Sequence, residues 1–144
     1  MKVDIMAKIL IVDDQRSVRE VLSEELVSEG YRVATAGDAR SISERLGFSQ
    51  PDVVLLDLYL DGIEGFGVLH DIKAQDPDLP VIILTAYDSY ADDPRLSQAD
   101  GYVIKNIDLD ELKGKIADVL RGKASRQELD VETDLPQFSV AGSP

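Results

Sequence analysis

The chain has no cysteine, no tryptophan and a single histidine, and it is short of bases: 15 Lys and Arg stand against 28 Asp and Glu in 144 residues, a formal net charge of −13. Without cysteine there is no disulfide framework, no zinc–thiolate site and no thiol nucleophile, which suits a reducing cytosol. Without an excess of Lys and Arg there is nothing to neutralise a phosphate backbone, which argues against nucleic acid or an anionic membrane as the main partner but not against cations. Long apolar runs are missing too. Ile9 to Val12, Val53 to Leu56 and Val81 to Leu84 are strand-length, far below the roughly 20 residues that span a bilayer. Asp4 and Lys8 break up what would have to be a signal-peptide core. A cytoplasmic protein of one domain is expected, since the length leaves little room for a second.

Five short apolar runs are present, each ending in a polar or turn residue: Ile9-Leu10-Ile11-Val12, Tyr31-Arg32-Val33-Ala34, Val53-Val54-Leu55-Leu56, Val81-Ile82-Ile83-Leu84 and Tyr102-Val103-Ile104. Four lack alternation, the mark of strands buried on both faces of a parallel sheet. Helical spacing fills the gaps. Val18, Val21, Leu22 and Leu26 form the buried stripe of a helix that Gly30 terminates, and Asp38 is the expected cap of a short helix carrying Ile42 and Leu46. Phe66, Leu69 and Ile72 repeat the pattern before Asp76-Pro77 stops it. The fourth helix should be short and start near Pro94 with Asp93 as its cap, because proline is tolerated only at a helix's first position. Asp108 and Glu111 form a capping box ahead of Leu109, Leu112, Ile116 and Val119. Such βα alternation with right-handed crossovers predicts an α/β fold, a doubly wound five-stranded parallel sheet with helices on both faces. Its ligand site then lies beyond the carboxyl ends of the strands. The domain should occupy residues 1–121, with its core at 8–121, and residues 122–144, poor in large apolar groups, should form a weakly structured tail.

The polar residues at the ends of the apolar runs carry the chemistry. Asp13 and Asp14 close strand one, Asp57 strand three, Thr85 strand four and Lys105 strand five. If strand one lies beside strand three, three carboxylates meet, and at ~5 Å and an effective dielectric of ~20 each pair repels by roughly 3 kcal/mol. A positive charge must sit there. Mg²⁺ fits, as it takes hard oxygen ligands and is held by one or two carboxylates plus a phosphate. Lys105 adds a fixed charge and Thr85 a hydroxyl, and together they describe a place where a phosphoryl group is attached to a carboxylate. A lone strand-end Asp is usually a cap or turn residue. Local capping does not explain why a lysine and a threonine close the two remaining strands.

These blocks, Ile9 to Asp14, Val53 to Leu58, Ile82 to Ala86 and Gly101 to Lys105, resemble in order and spacing the signature blocks of bacterial response-regulator receiver domains, over about Lys8 to Arg121. The resemblance implies a flavodoxin-like sheet of order 2-1-3-4-5 and an Asp57 that accepts a phosphoryl group from the phosphohistidine of a sensor histidine kinase or phosphotransfer protein. It implies Mg²⁺ bound by Asp14, Asp57 and the backbone carbonyl of Tyr59, with Asp13 helping through water. Thr85 and Lys105 would contact the phosphoryl oxygens, with small Ala86 leaving room, and Tyr102 would turn inward when Thr85 moves toward the phosphate. Partners, a homodimer among them, would meet the face of helix 4, strand 5 and helix 5. Two features depart from the pattern: Asn106 follows Lys105 where the family usually has a cis proline, and Asp61-Gly62 stands where it often has a proline.

The expectation is therefore a stand-alone receiver that slowly dephosphorylates itself, carries no enzymatic output and binds an unidentified downstream protein. A degenerate receiver that binds partners without phosphorylation is one alternative. Another is a small phosphatase of the haloacid-dehalogenase type, disfavoured because Tyr59 stands where those enzymes have a second Asp. His70 reads as a surface residue; by the resemblance Tyr59 and Tyr87 would flank the path of the attacking water, the alternative being rim residues of no consequence.

Overall fold

Ile9 to Val12, Val53 to Leu56 and Val81 to Leu84 are almost wholly shielded from solvent, so their strands must lie in the middle of a sheet covered on both sides. The computed structural model describes residues 7–40, 42–60, 63–86, 92–105 and 109–123, with the backbone alone for 59, 60, 63 and 64. It places β1 (Lys8–Val12), β3 (Val53–Asp57) and β4 (Val81–Thr85) at the centre, with β2 (Arg32–Ala36) and β5 (Gly101–Ile104) as edges, in the order β2-β1-β3-β4-β5. All four pairings are parallel. The doubly wound sheet of order 2-1-3-4-5 is as expected.

Successive strand residues point to opposite faces, so the sheet builds two cores. On one, Leu22 and Leu26 of α1 (Arg16–Ser28) and Leu112, Ile116 and Leu120 of the last helix, α4 (109–123), cover Ile9, Ile11 and Leu55. On the other, Ile42 and Leu46 of α2 (Ile42–Ser49) and Leu69 and Ile72 of α3 (Phe66–Gln75) cover Leu10, Val12 and Leu56. Among the described residues no helix is long and apolar enough to cross a membrane.

The helix ends follow local chemistry. Gly30, at φ 101°, closes α1: its N–H donates to the Val27 carbonyl at 2.9 Å and that of Tyr31 to the Leu26 carbonyl at 3.1 Å, the paired bonds of a Schellman motif that needs a left-handed residue. The fourth helix shrinks to one 3-10 turn, Pro94–Leu96, with Asp93 Oδ1 accepting from the Arg95 N–H at 2.9 Å, as proline and its cap predict. Two details differ from the sequence reading. Asp38 does not cap α2; its Oδ1 accepts from the Arg40 N–H at 2.9 Å and closes a turn before the helix begins. Val21 is 53% exposed, because it faces a groove between α1 and α4 that the two helices leave open. Helix α4 is described through Lys123. The capping Asp108 lies outside the described residues.

One clamp escaped the sequence reading. The Lys73 ammonium, 8% exposed, donates to the Leu79 carbonyl and to Asp100 Oδ2, both at 2.8 Å, while the same Asp100 oxygen accepts from the Val81 N–H at 2.9 Å. It ties α3 to the starts of both β4 and β5.

Candidate functional site

Asp57 is the last residue of β3, and Asp13 is the first after β1. Because Val12 lies opposite Leu56 in the parallel register, the residues that follow them, Asp13 and Asp57, come side by side at the carboxyl edge. Asp13 and Asp57 are buried and Asp14 is exposed, and each of the three offers an oxygen within 4.8 Å of the others. Sequence alone places these carboxylates together on the assumption that β1 adjoins β3, and the register makes it so.

Lys105 supplies the counter-charge. Its ammonium lies 2.9 Å from Asp13 Oδ2 and 3.2 Å from Asp57 Oδ2. Burial pulls its pKa down, but the negative charges of Asp13 and Asp57 beside it outweigh that and hold it above the ordinary lysine value. The Lys105 N–H also donates to the Thr85 carbonyl at 2.6 Å. Since buried Thr85 ends β4 beside β5, the two groups expected to touch a phosphoryl group are joined through their backbones.

The turn after Asp57 is equally constrained. Residues Tyr59–Leu60 pair antiparallel with Ile63–Glu64, and the chain returns so closely that a Cβ on Gly65 would lie 2.9 Å from the Asp57 carbonyl. Only glycine fits, and its N–H donates to the Leu58 carbonyl at 2.5 Å. This fixes the backbone that carries Asp57 and, two residues on, Tyr59.

Asp13 is held from several sides. Its Oδ1 accepts from the Gln15 N–H at 2.8 Å, and its carbonyl accepts from Arg19 Nη1 at 2.7 Å. Its Oδ2 is buried and has no hydrogen-bond donor among the described residues; the ammonium at 2.9 Å faces it as an ion pair, off hydrogen-bond geometry. A buried carboxylate oxygen with a free lone pair beside two further acids is a donor set suited to a hard cation. The cluster therefore fits a divalent metal. Sequence reading missed Gln15 and Arg19, because their part depends on how far a side chain reaches back over the start of α1, which no spacing rule encodes.

Of the other expected residues, Tyr102 lies on β5 opposite Ile83, partly buried against the core that contains Leu96 and Phe66. The His70 side chain is 74% exposed on α3, a surface residue as expected. Tyr87 and the Lys105–Asn106 bond lie outside the described residues.

A family model described as "Response regulator receiver domain" matches residues 9–117. The chain belongs to that family. Receiver domains of this kind serve two-component signalling. A probable transcriptional regulator ycf27 of Guillardia theta is 40% identical over 118 residues, covering 79% of this chain and 45% of its own length. The probable transcriptional regulatory protein TcrX of Mycobacterium tuberculosis is 36% identical, covering 78% and 49%. This receiver chain spans about half the length of those curated relatives. Among solved structures, the response regulator TrrA of Thermotoga maritima in complex with Mg²⁺-BeF is 38% identical with a TM-score of 0.75, covering 79% of this chain and 99% of that one. A complex of the histidine kinase ThkA with TrrA matches at 39% identity and a TM-score of 0.74, covering 80% and 99%.

Proposed function

We propose that this receiver accepts a phosphoryl group on Asp57 from the phosphohistidine of a sensor kinase or phosphotransfer protein and uses it to switch a protein-binding surface. The observation that supports this most is the buried Asp57 carboxylate at the centre of the carboxyl edge, its Oδ2 on Lys105 and its neighbours Asp13 and Asp14 within reach of the same ion. An Asp57 oxygen forms the new bond to phosphorus, the bond from phosphorus to the imidazole nitrogen breaks, and the imidazole leaves with the electron pair. Asp13, Asp14, Asp57 and the Tyr59 carbonyl are the groups that would hold Mg²⁺, which when bound supplies positive charge against the phosphoryl oxygens. Lys105 stabilises the charge on one such oxygen, and the Thr85 hydroxyl donates to another. Tyr102 then follows Thr85 inward, altering the surface of the 3-10 turn, β5 and α4. Water attack on the acyl phosphate ends the signal slowly.

The complete set of Asp13, Asp14, Asp57, Thr85 and Lys105 favours this over a receiver that works without phosphate. The phosphatase reading finds no support in the family match. The net charge of −13 speaks against nucleic acid as a partner of this domain, whatever longer relatives named as transcriptional regulators contact. Incubation with acetyl phosphate should attach a phosphoryl group that needs Mg²⁺ and is removed by hydroxylamine, as an acyl phosphate is. A hydroxylamine-resistant phosphate would overturn the assignment.

A further inference from the structure

Gln15 is the N-cap of α1, yet its side chain makes no capping bond. That position favours Ser, Thr, Asp or Asn, whose short side chains reach the orphan N–H groups of the first turn. The glutamine leaves them aside. Its carboxamide turns across the carboxyl edge, where Oε1 accepts from the Lys105 ammonium at 3.2 Å, a contact between residues 90 apart in the chain.

Three oxygens surround the ammonium: Asp57 Oδ2 and Gln15 Oε1 each accept one of its N–H groups at 3.2 Å, and Asp13 Oδ2 faces it at 2.9 Å as an ion pair. Two are buried carboxylates; the third is neutral and belongs to an exposed residue. A neutral acceptor holds an ammonium less tightly than a carboxylate does, so it is the one an incoming anion displaces. Gln15 and Lys105 also line, with Ala86, the open apolar groove of about 520 Å³ between α1 and α4, so their contact sits where that groove meets the carboxyl edge.

We infer that Gln15 is a positioning residue for phosphoryl transfer: its carboxamide keeps one Lys105 N–H turned away from the two carboxylates until a phosphoryl oxygen replaces it. This rests on Asp57 being the acceptor. Without the carboxamide the ammonium settles onto the two carboxylates, which screens the Asp57 oxygen that must attack and leaves no N–H aimed at the arriving phosphate. In the test reaction an Asp57 oxygen bonds to the phosphorus of acetyl phosphate, the phosphorus–oxygen bond to the acetyl group breaks, and acetate leaves with the electron pair.

Gln15→Ala and Gln15→Asn separate this role from a structural one. Asparagine is the better N-cap but is one methylene too short to reach Lys105. At saturating Mg²⁺, both variants should be phosphorylated about three- to tenfold more slowly than the wild type, the factor carried by about one hydrogen bond. The KM for acetyl phosphate should stay near the wild-type value, and Gln15→Asn should melt at or above the wild-type temperature. Wild-type rates in both variants, or a slower Gln15→Asn that also melts lower, would overturn the inference. A wild type that gains no phosphate, or an Asp57→Asn variant that gains it normally, would instead overturn the reading of Asp57.

Discussion

Lys105 shares its one positive charge between two buried carboxylates, so removing it is more costly than losing a surface lysine. Lys105→Met should destabilise the metal-free protein by about 2–3 kcal/mol, somewhat below the ~3–5 typical when a fully buried pair loses a partner, and added Mg²⁺ should restore much of it. The pH dependence follows from the raised lysine pKa. Such a group contributes stability that is fully present below its unfolded value and is lost as pH rises through its folded value. The gap between wild type and Lys105→Met in chemical denaturation should therefore hold at about pH 8 and narrow above about pH 10.4. Removing a carboxylate acts the other way: Asp57→Asn relieves repulsion and should raise the melting temperature of the metal-free protein. At this scale the sequence is informative wherever a residue's place depends on the backbone alone. Asp13, Asp57, Thr85 and Lys105 each end an apolar run, and a parallel sheet brings such positions to one edge. Gln15 and Arg19 act by side-chain reach, and Asp38 misleads because Asp caps helices and closes turns with the same hydrogen bond.

The elements between the site and the protein's outer face differ in how firmly they are held. The 3-10 turn Pro94–Leu96 has few backbone bonds to lose, and it leans on α3 through the Arg95 guanidinium, 3.7 Å over the Phe66 ring. Helix α3 is in turn clamped by Lys73 and Asp100. Lys73→Met should cost about 1.5–3 kcal/mol, the range for hydrogen bonds to charged groups, read by urea denaturation. Segments with few buried bonds open first, and Thr85 and Lys105 flank this one. With beryllofluoride as the phosphoryl mimic, amide exchange should change most between Asp92 and Lys105; a change confined to the Asp13 and Asp57 loops would mean that the signal leaves elsewhere. Periodicity exposes α1, α3 and α4 because each buries a stripe. It misplaces Val21, since a period says which residues share a face and not whether a second helix closes over them.

For the whole molecule, a parallel sheet with two covered faces concentrates polar groups at its carboxyl edge, and the acidic excess there makes folding and cation binding one equilibrium. At 100 times its dissociation constant, Mg²⁺ should add about 2.7 kcal/mol by mass action, visible as a higher melting temperature. The absence of any Mg²⁺ effect on the melt would contradict the clustered carboxylates. Residues 124–144 lie outside the described residues, and every residue assigned to the site precedes position 106, so truncation after Lys123 should leave phosphorylation intact. The most direct test of the account is intact-mass analysis of wild type and Asp57→Asn after incubation with acetyl phosphate and Mg²⁺. The account predicts one added phosphoryl group on the wild type and none on the variant; an equal gain on both would contradict it.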